Sequence, residues 1–187
     1  MALQPTRLEY RITLSHVDRA VDLPETPVIL GRHPSETQEH ATLRVLSWCL
    51  LYEEGITFGP GLSSDGTADL WVHDLTGRLV TWIECGATKW DHLRKGLHQH
   101  GGSKAHVLFV NDRKRSELVE EIAQAAHAKE ASRVTLWSID PALVTALATR
   151  EDRRQKWSVT VVGDHLYVEV DGKSFDGDAT PAPAKSD

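Results

Sequence analysis

Two hydrophobic periods alternate along this chain, and that alternation limits the folds open to it. Leu8, Tyr10, Ile12 and Leu14 interleave with Glu9, Arg11 and Thr13, the period of a strand with one buried face. Val28, Ile29 and Leu30, after Pro24 and Pro27, predict a second strand ending at Gly31. A helix follows, with Ser35 as N-cap, Gln38 three residues on as in a capping box, a run to about Glu53, and Gly55 as the stop. Strands are predicted over Ala68–His73 and Leu79–Cys85, then a helix capped by Thr88 and running to about His100. Ala105–Val110 reads as a strand, Ser116–Lys129 as a helix, Arg133–Ile139 as a strand and Pro141–Arg150 as a short helix with proline in its first turn. Trp157–Val162 and His165–Val170 flank Gly163-Asp164 as a hairpin. The order predicts an α/β (α+β) domain: a mixed sheet core, flanking helices and β-rich additions at both ends, neither a bundle nor a sandwich.

The chain has 187 residues, 40% apolar and 26% charged, which suits one packed domain. That domain is expected over residues 1–175. The segment from Asp176 to Asp187, rich in Pro, Ala and Asp, has little to bury and is expected to be a disordered tail. No apolar run approaches the roughly 18 residues that span a bilayer, so no membrane partner is expected. Met1 to Glu9 lacks the charged-then-apolar order of a secretory leader, and Cys49 and Cys85 cannot build a disulfide framework. A reducing cytoplasm is the expected compartment. The net charge of -6 argues against a globally basic nucleic-acid binder but leaves room for a local basic patch. The chain has no phosphate-cradling P-loop, no dinucleotide glycine fingerprint and no nucleophile elbow, which removes nucleoside triphosphatase, dehydrogenase and serine hydrolase readings.

Acids appear where core is expected. In the first predicted helix Glu39 falls on one stripe with Leu43, Leu46 and Leu50, and Glu36 lies at its edge. Either the helix dipole and water accommodate them there, or they have a chemical task. On the central hairpin, Asp69, Trp71 and His73 share one face of the first strand, and Val80, Trp82 and Glu84 share one face of the second. A two-residue turn at Thr76-Gly77 sets Asp69 opposite Glu84. A four-residue loop sets Asp69 opposite Trp82 with Glu84 diagonal. Both registers leave the two acids on one face, where like charges repel unless a cation lies between them. Mg²⁺ takes hard oxygen ligands, one or two carboxylates among them. The other account is two acids on a wet face, which Trp71, Trp82 and Val80 make less apt.

Gly31-Arg-His-Pro-Ser-Glu-Thr-Gln-Glu39, with Leu43-Arg44 and Trp48 after it, resembles the YaeQ family of small bacterial proteins. Ala68-Asp-Leu-Trp71, Trp82-Ile-Glu-Cys-Gly86 and Leu93-Arg-Lys95 fit the same family. The resemblance covers nearly all of the chain before the tail. It implies a restriction-endonuclease-like core related to the PD-(D/E)xK nucleases, in which acids hold Mg²⁺ or Mn²⁺ for phosphodiester cleavage of nucleic acid. Carried over, Asp69 is the strand Asp, Glu84 the strand Glu, Glu39 (or Glu36) the helix acid, and the Cys85 carbonyl a further metal ligand. The nuclease lysine belongs two residues after Glu84, where Gly86 stands. Lys95 and Arg94 on the next helix are the substitutes, with Lys89 behind them, and Gln99 matches a glutamine found in some branches of the superfamily. The departure at Gly86 keeps a second reading open, a nuclease-fold binding or regulatory protein without turnover.

Arg32 and His33 either contact phosphate or a partner beside a helix N-terminus, or form a structural turn with Arg32 pairing Glu36. His92, His98, His100 and His106 match no zinc spacing and read as partly exposed histidines. Cys85 lacks the partners of a nucleophile. Arg113-Lys-Arg115 reads as a solvated helix start, with a phosphate track as the alternative, and Trp90 is the tryptophan to test for base stacking.

Overall fold

The computed structural model describes residues 4–60, 67–125 and 129–184. It is a mixed α+β protein whose chain divides into two compact units, Met1–Leu51 with Ile139–Thr180, and Tyr52–Ser138 with Pro181–Asp187.

The first unit is built on a mixed sheet. Strands β1 (Thr6–His16) and β2 (Val21–Arg32) pair antiparallel, β1 pairs parallel with β8 (Arg154–Val162), and β9 (His165–Val170) and β10 (Lys173–Pro183) follow antiparallel. The predicted alternation is present: Leu8, Tyr10, Ile12 and Leu14 are buried, as are Trp157, Val159 and Val161 across the ladder. Helix α1 (Gln38–Leu50) packs on α4 (Pro141–Ala148). Every residue from Ala41 to Leu50 is buried, so α1 has no single core-facing stripe.

The segment read as a disordered tail forms the second half of β10 instead. Its buried positions Gly177 and Ala179 are two residues apart, a strand period written in small side chains. They are small because α4 lies against the strand: a Cβ on Gly177 would come within 2.9 Å of the Cβ atoms of Asp140 and Leu143. Residues 185–187 lie outside the described residues.

The second unit orders its strands β7-β6-β5-β4-β3. The three-residue β3 (Ile56–Phe58), too short to announce itself in sequence, pairs with β4 (Leu70–His73), and β4 with β5 (Leu79–Cys85), both antiparallel. Strand β6 (Lys104–Phe109) joins β5 in parallel through helix α2 (Trp90–Gln99). Strand β7 (Val134–Ile139) joins β6 in parallel after helix α3 (Asp112–Gln124). The core gathers Trp82, Trp90, Leu93, Leu97, Val107, Phe109, Leu118, Ile122 and Leu136. Trp90 is buried in it rather than presented for stacking.

Helix starts differ from expectation in which residues supply the caps. Thr37 caps α1 through its Oγ1 to the His40 N–H at 3.1 Å, two residues beyond Ser35. Asn111 caps α3, which takes in Arg113, Lys114 and Arg115 as its first turn. Glu121 of α3, rather than Thr88, accepts the Trp90 N–H at the start of α2 at 3.0 Å.

Candidate functional site

The hairpin of the second unit carries the acid pair. Leu70 lies opposite Ile83, Trp71 opposite Trp82 and Val72 opposite Thr81, and the same register continued one step sets Asp69 opposite Glu84. The turn is neither of the two expected. Asp74 accepts the Thr76 and Arg78 N–H groups on its side chain, and a register shift after Val72 absorbs the longer loop. That irregularity lies on the turn side of the Val72–Thr81 pair, so it does not disturb the register at the Leu70–Ile83 end.

Each acid is held differently. Asp69 Oδ2 accepts the backbone N–H of Cys85 at 2.8 Å, which ties the start of β4 to the end of β5. An extended residue presents its N–H and C=O to the same side, so the Cys85 carbonyl is directed toward the Asp69 edge as well. Glu84 is buried, and its Oε1 accepts from Trp82 Nε1 at 2.6 Å and meets His92 Nε2 at 3.1 Å. Burial pushes the Glu84 carboxyl above the usual carboxylate range, and the charge of Asp69 pushes it further; the bonds from His92 and Trp82 oppose this without cancelling it.

His92, read from the sequence as a partly exposed histidine, is partly buried, and its contact with Glu84 was not foreseen. It stands on α2 with its ring edge-on to Trp82 at 5.7 Å, and it reaches Glu84 from the helix. The available signal was its place in the first turn of a helix following directly on the Glu84 strand. Lys95, three residues further on, and Gln99 are exposed, while Arg94 is half-buried and pairs with Asp91 at 3.6 Å. Lys89 is occupied by Glu121 at 2.7 Å. Gly86, at the position of the nuclease lysine, has φ of 84°, a left-handed conformation that a lysine adopts only with strain. Among the described residues no group of three or more His, Cys, Asp or Glu side chains stands ready to hold a metal ion.

In the first unit, the Gly31–Glu39 string folds around a different acid from the one expected. Glu36, not Glu39, is buried. Its carboxylate accepts the His33 N–H at 3.2 Å, meets His40 Nδ1 at 2.7 Å and pairs with the fully buried Arg44 at 3.3 Å. Burial alone would push the Glu36 carboxyl up, but the His40 bond and the Arg44 charge outweigh it and hold the group below its ordinary value. Arg44 therefore takes the place expected of Arg32, whose NH1 donates to Gln38 Oε1 at 2.6 Å. His33 Nδ1 meets Ser35 Oγ at 2.7 Å. Glu39 is exposed and accepts from Thr145 Oγ1 at 3.2 Å. With α1 starting at Gln38 and buried on all sides from Ala41, the stripe that placed Glu39 in the core does not exist.

Fold and site define a mixed α+β protein with one buried acid neutralised in a turn and a second set against another acid on a hairpin. The chain belongs to the YaeQ family, whose model, described as YaeQ protein, matches residues 1–178. It is 24% identical over 180 residues to the protein named "Uncharacterized protein YaeQ" of Escherichia coli K12, covering 96% of this chain and 97% of that one. To the protein of the same name in Salmonella typhi it is 27% identical over 168 residues, 90% of each. The crystal structure of the YaeQ protein from Xanthomonas axonopodis pv. citri superposes with a TM-score of 0.83 at 22% identity, over 97% of this chain and 99% of that one. The YaeQ protein from Pseudomonas syringae gives 0.82 at 24% identity, over 95% of both chains. At these identities the two structures speak for the fold.

Proposed function

We propose that this chain is a Mg²⁺- or Mn²⁺-dependent phosphodiesterase, a variant of the PD-(D/E)xK nucleases with a restriction-endonuclease-like core, acting on nucleic acid. One observation carries the reading: a buried glutamate, Glu84, with Trp82 and His92 as its hydrogen-bond partners, feels the charge of Asp69, and its carboxyl is raised above the ordinary range. Carboxylate oxygens from Asp69 and Glu84 and the carbonyl of Cys85 are hard donors, the set a small divalent cation prefers, so these residues fit the ion and would hold it. Such an ion supplies Lewis acidity toward a phosphate and the attacking water.

The chain's own groups then have separate tasks. The Cys85 N–H fixes the Asp69 carboxylate. Trp82 Nε1 fixes the Glu84 rotamer, and His92 reaches the same oxygen from α2. Lys95, on the exposed flank of that helix, is the candidate to balance charge on the phosphate in place of the lysine missing at Gly86; Arg94 and Gln99 of the same helix are candidates for substrate contact.

The alternative, a nuclease-fold binding protein without turnover, is favoured by the left-handed backbone at Gly86, which removes the lysine position itself and not only its side chain. Cleavage of labelled single- and double-stranded DNA and RNA with Mg²⁺ or Mn²⁺ decides between them. Asp69→Ala and Glu84→Ala should each cut activity at least 100-fold; equal cleavage by wild type and both variants, or no cleavage by wild type, ends the enzymatic reading. Glu39→Ala tests the helix-acid assignment in the same assay, wild-type activity removing it.

A further inference from the structure

We propose a second ligand site, for a nucleoside di- or triphosphate, on the outer face of the first unit's sheet. A cavity of about 560 Å³ opens there, lined by Arg7, Arg11, Arg154 and Lys156 above a wall of Pro27 and Ile29. That volume lies within the range of small-molecule pockets. The register brings the residues together in rows: Ile29, Glu9 and Arg154 lie side by side across β2, β1 and β8, and Pro27, Arg11 and Lys156 form the next row on the same face.

Charge in the cavity is of one sign in excess. The lining holds those four cations against two acids, Glu9 and Asp171, on a chain whose net charge is -6. Asp171 is already taken by Arg150 at 2.7 Å. Glu9 is shared between Arg7 at 3.0 Å and Arg154 at 3.4 Å, and Glu25 between Arg11 at 3.1 Å and Lys156 at 2.5 Å. Glu9 and Glu25 therefore each serve two cations and satisfy one charge, which leaves one cation of each pair available to an incoming anion. The four cationic side chains are 65% to 86% exposed, so they turn from a shared carboxylate to a phosphate with little to break. Three of them are arginines, whose forked donors match phosphate oxygens in pairs.

The wall selects among phosphates. Ile29 is 51% exposed beside Pro27, an aliphatic surface for the flat, apolar part of a ligand. No aromatic ring is exposed among the lining residues for successive bases to stack on, since Tyr10 is buried, and this favours one nucleotide over a strand. The site lies wholly in the first unit and uses no residue of the Asp69–Glu84 pair, so it stands or falls apart from the phosphodiesterase reading.

Titration calorimetry of the full chain with ATP in EDTA tests it without divalent metal. The expected result is saturable binding that weakens as salt rises. Arg11→Glu with Lys156→Glu should weaken binding at least tenfold, with an unchanged melting curve as the folding control. Ile29→Ala should weaken ATP while leaving inorganic pyrophosphate unchanged. No binding of ATP, equal affinity in the charge-reversed variant, or binding of a ten-residue oligonucleotide that ATP does not displace would each overturn the proposal.

Discussion

Glu36 and Glu84 are both buried glutamates, and the protein treats them in opposite ways. Glu36 in the first unit has a buried arginine, a histidine and a backbone donor around it, and its carboxyl is held below the ordinary range. Glu84 in the second unit has a tryptophan and a histidine, and faces an aspartate; its carboxyl is held above that range. Burial is common to both, so the neighbours decide the direction. The first arrangement is complete in itself and fixes a turn against a helix. The second sets a buried carboxyl beside another acid with His92 and Trp82 as its partners, an environment that raises its carboxyl and that functional sites commonly use.

The sharpest way to break the comparison is to remove the cation from the complete pair. Arg44→Met should cost about 3–5 kcal/mol by leaving Glu36 buried with its charge poorly matched, read as a lowered denaturant midpoint at neutral pH. The loss should shrink as pH falls through the lowered Glu36 value, because the depressed carboxyl stabilises the fold only above the usual glutamate range. A midpoint that does not move would make Glu36 and Arg44 incidental.

A smaller effect of opposite sign is expected at Glu84. Its folded-state value stands above the unfolded one, so ionising it opposes folding as pH climbs past the usual glutamate range of about 4.3. Glu84→Gln keeps an acceptor for Trp82 and removes the charge. It should raise the melting temperature at pH 7 to 8 by a few degrees, at about 2–4 °C per kcal/mol, and leave it unchanged below pH 4. A stabilising change that also removes function is the signature of a residue kept for chemistry; a lowered melting temperature at pH 8 would place Glu84 with Glu36.

Much of this was legible in the sequence, for physical reasons that vary by region. Strands β1, β8 and β9 could be read because one face is buried and the other wet, which writes the period of two into side-chain polarity. The Asp69–Glu84 face could be read because both plausible registers gave it, although the actual turn is a third one. The end of β10 could not be read because its buried residues are Gly177 and Ala179, small where α4 presses close, and small residues look like a linker. The start of α1 was misplaced because Ser35 and Gln38 imitate a cap, while Thr37 is the actual cap and Glu36, just before it, turns inward to Arg44 of the same helix. The role of His92 could not be read because a histidine on a helix says nothing of the glutamate it will meet.

Whether the conflict at the hairpin is a cation site comes down to binding. Calorimetric titration of the metal-free protein with Mn²⁺ at pH 7.5 should give one saturable event per chain, weakened at least tenfold in Asp69→Ala and in Glu84→Gln and unchanged in Arg44→Lys. Absence of binding to the wild-type chain, or equal binding by all four proteins, would contradict it.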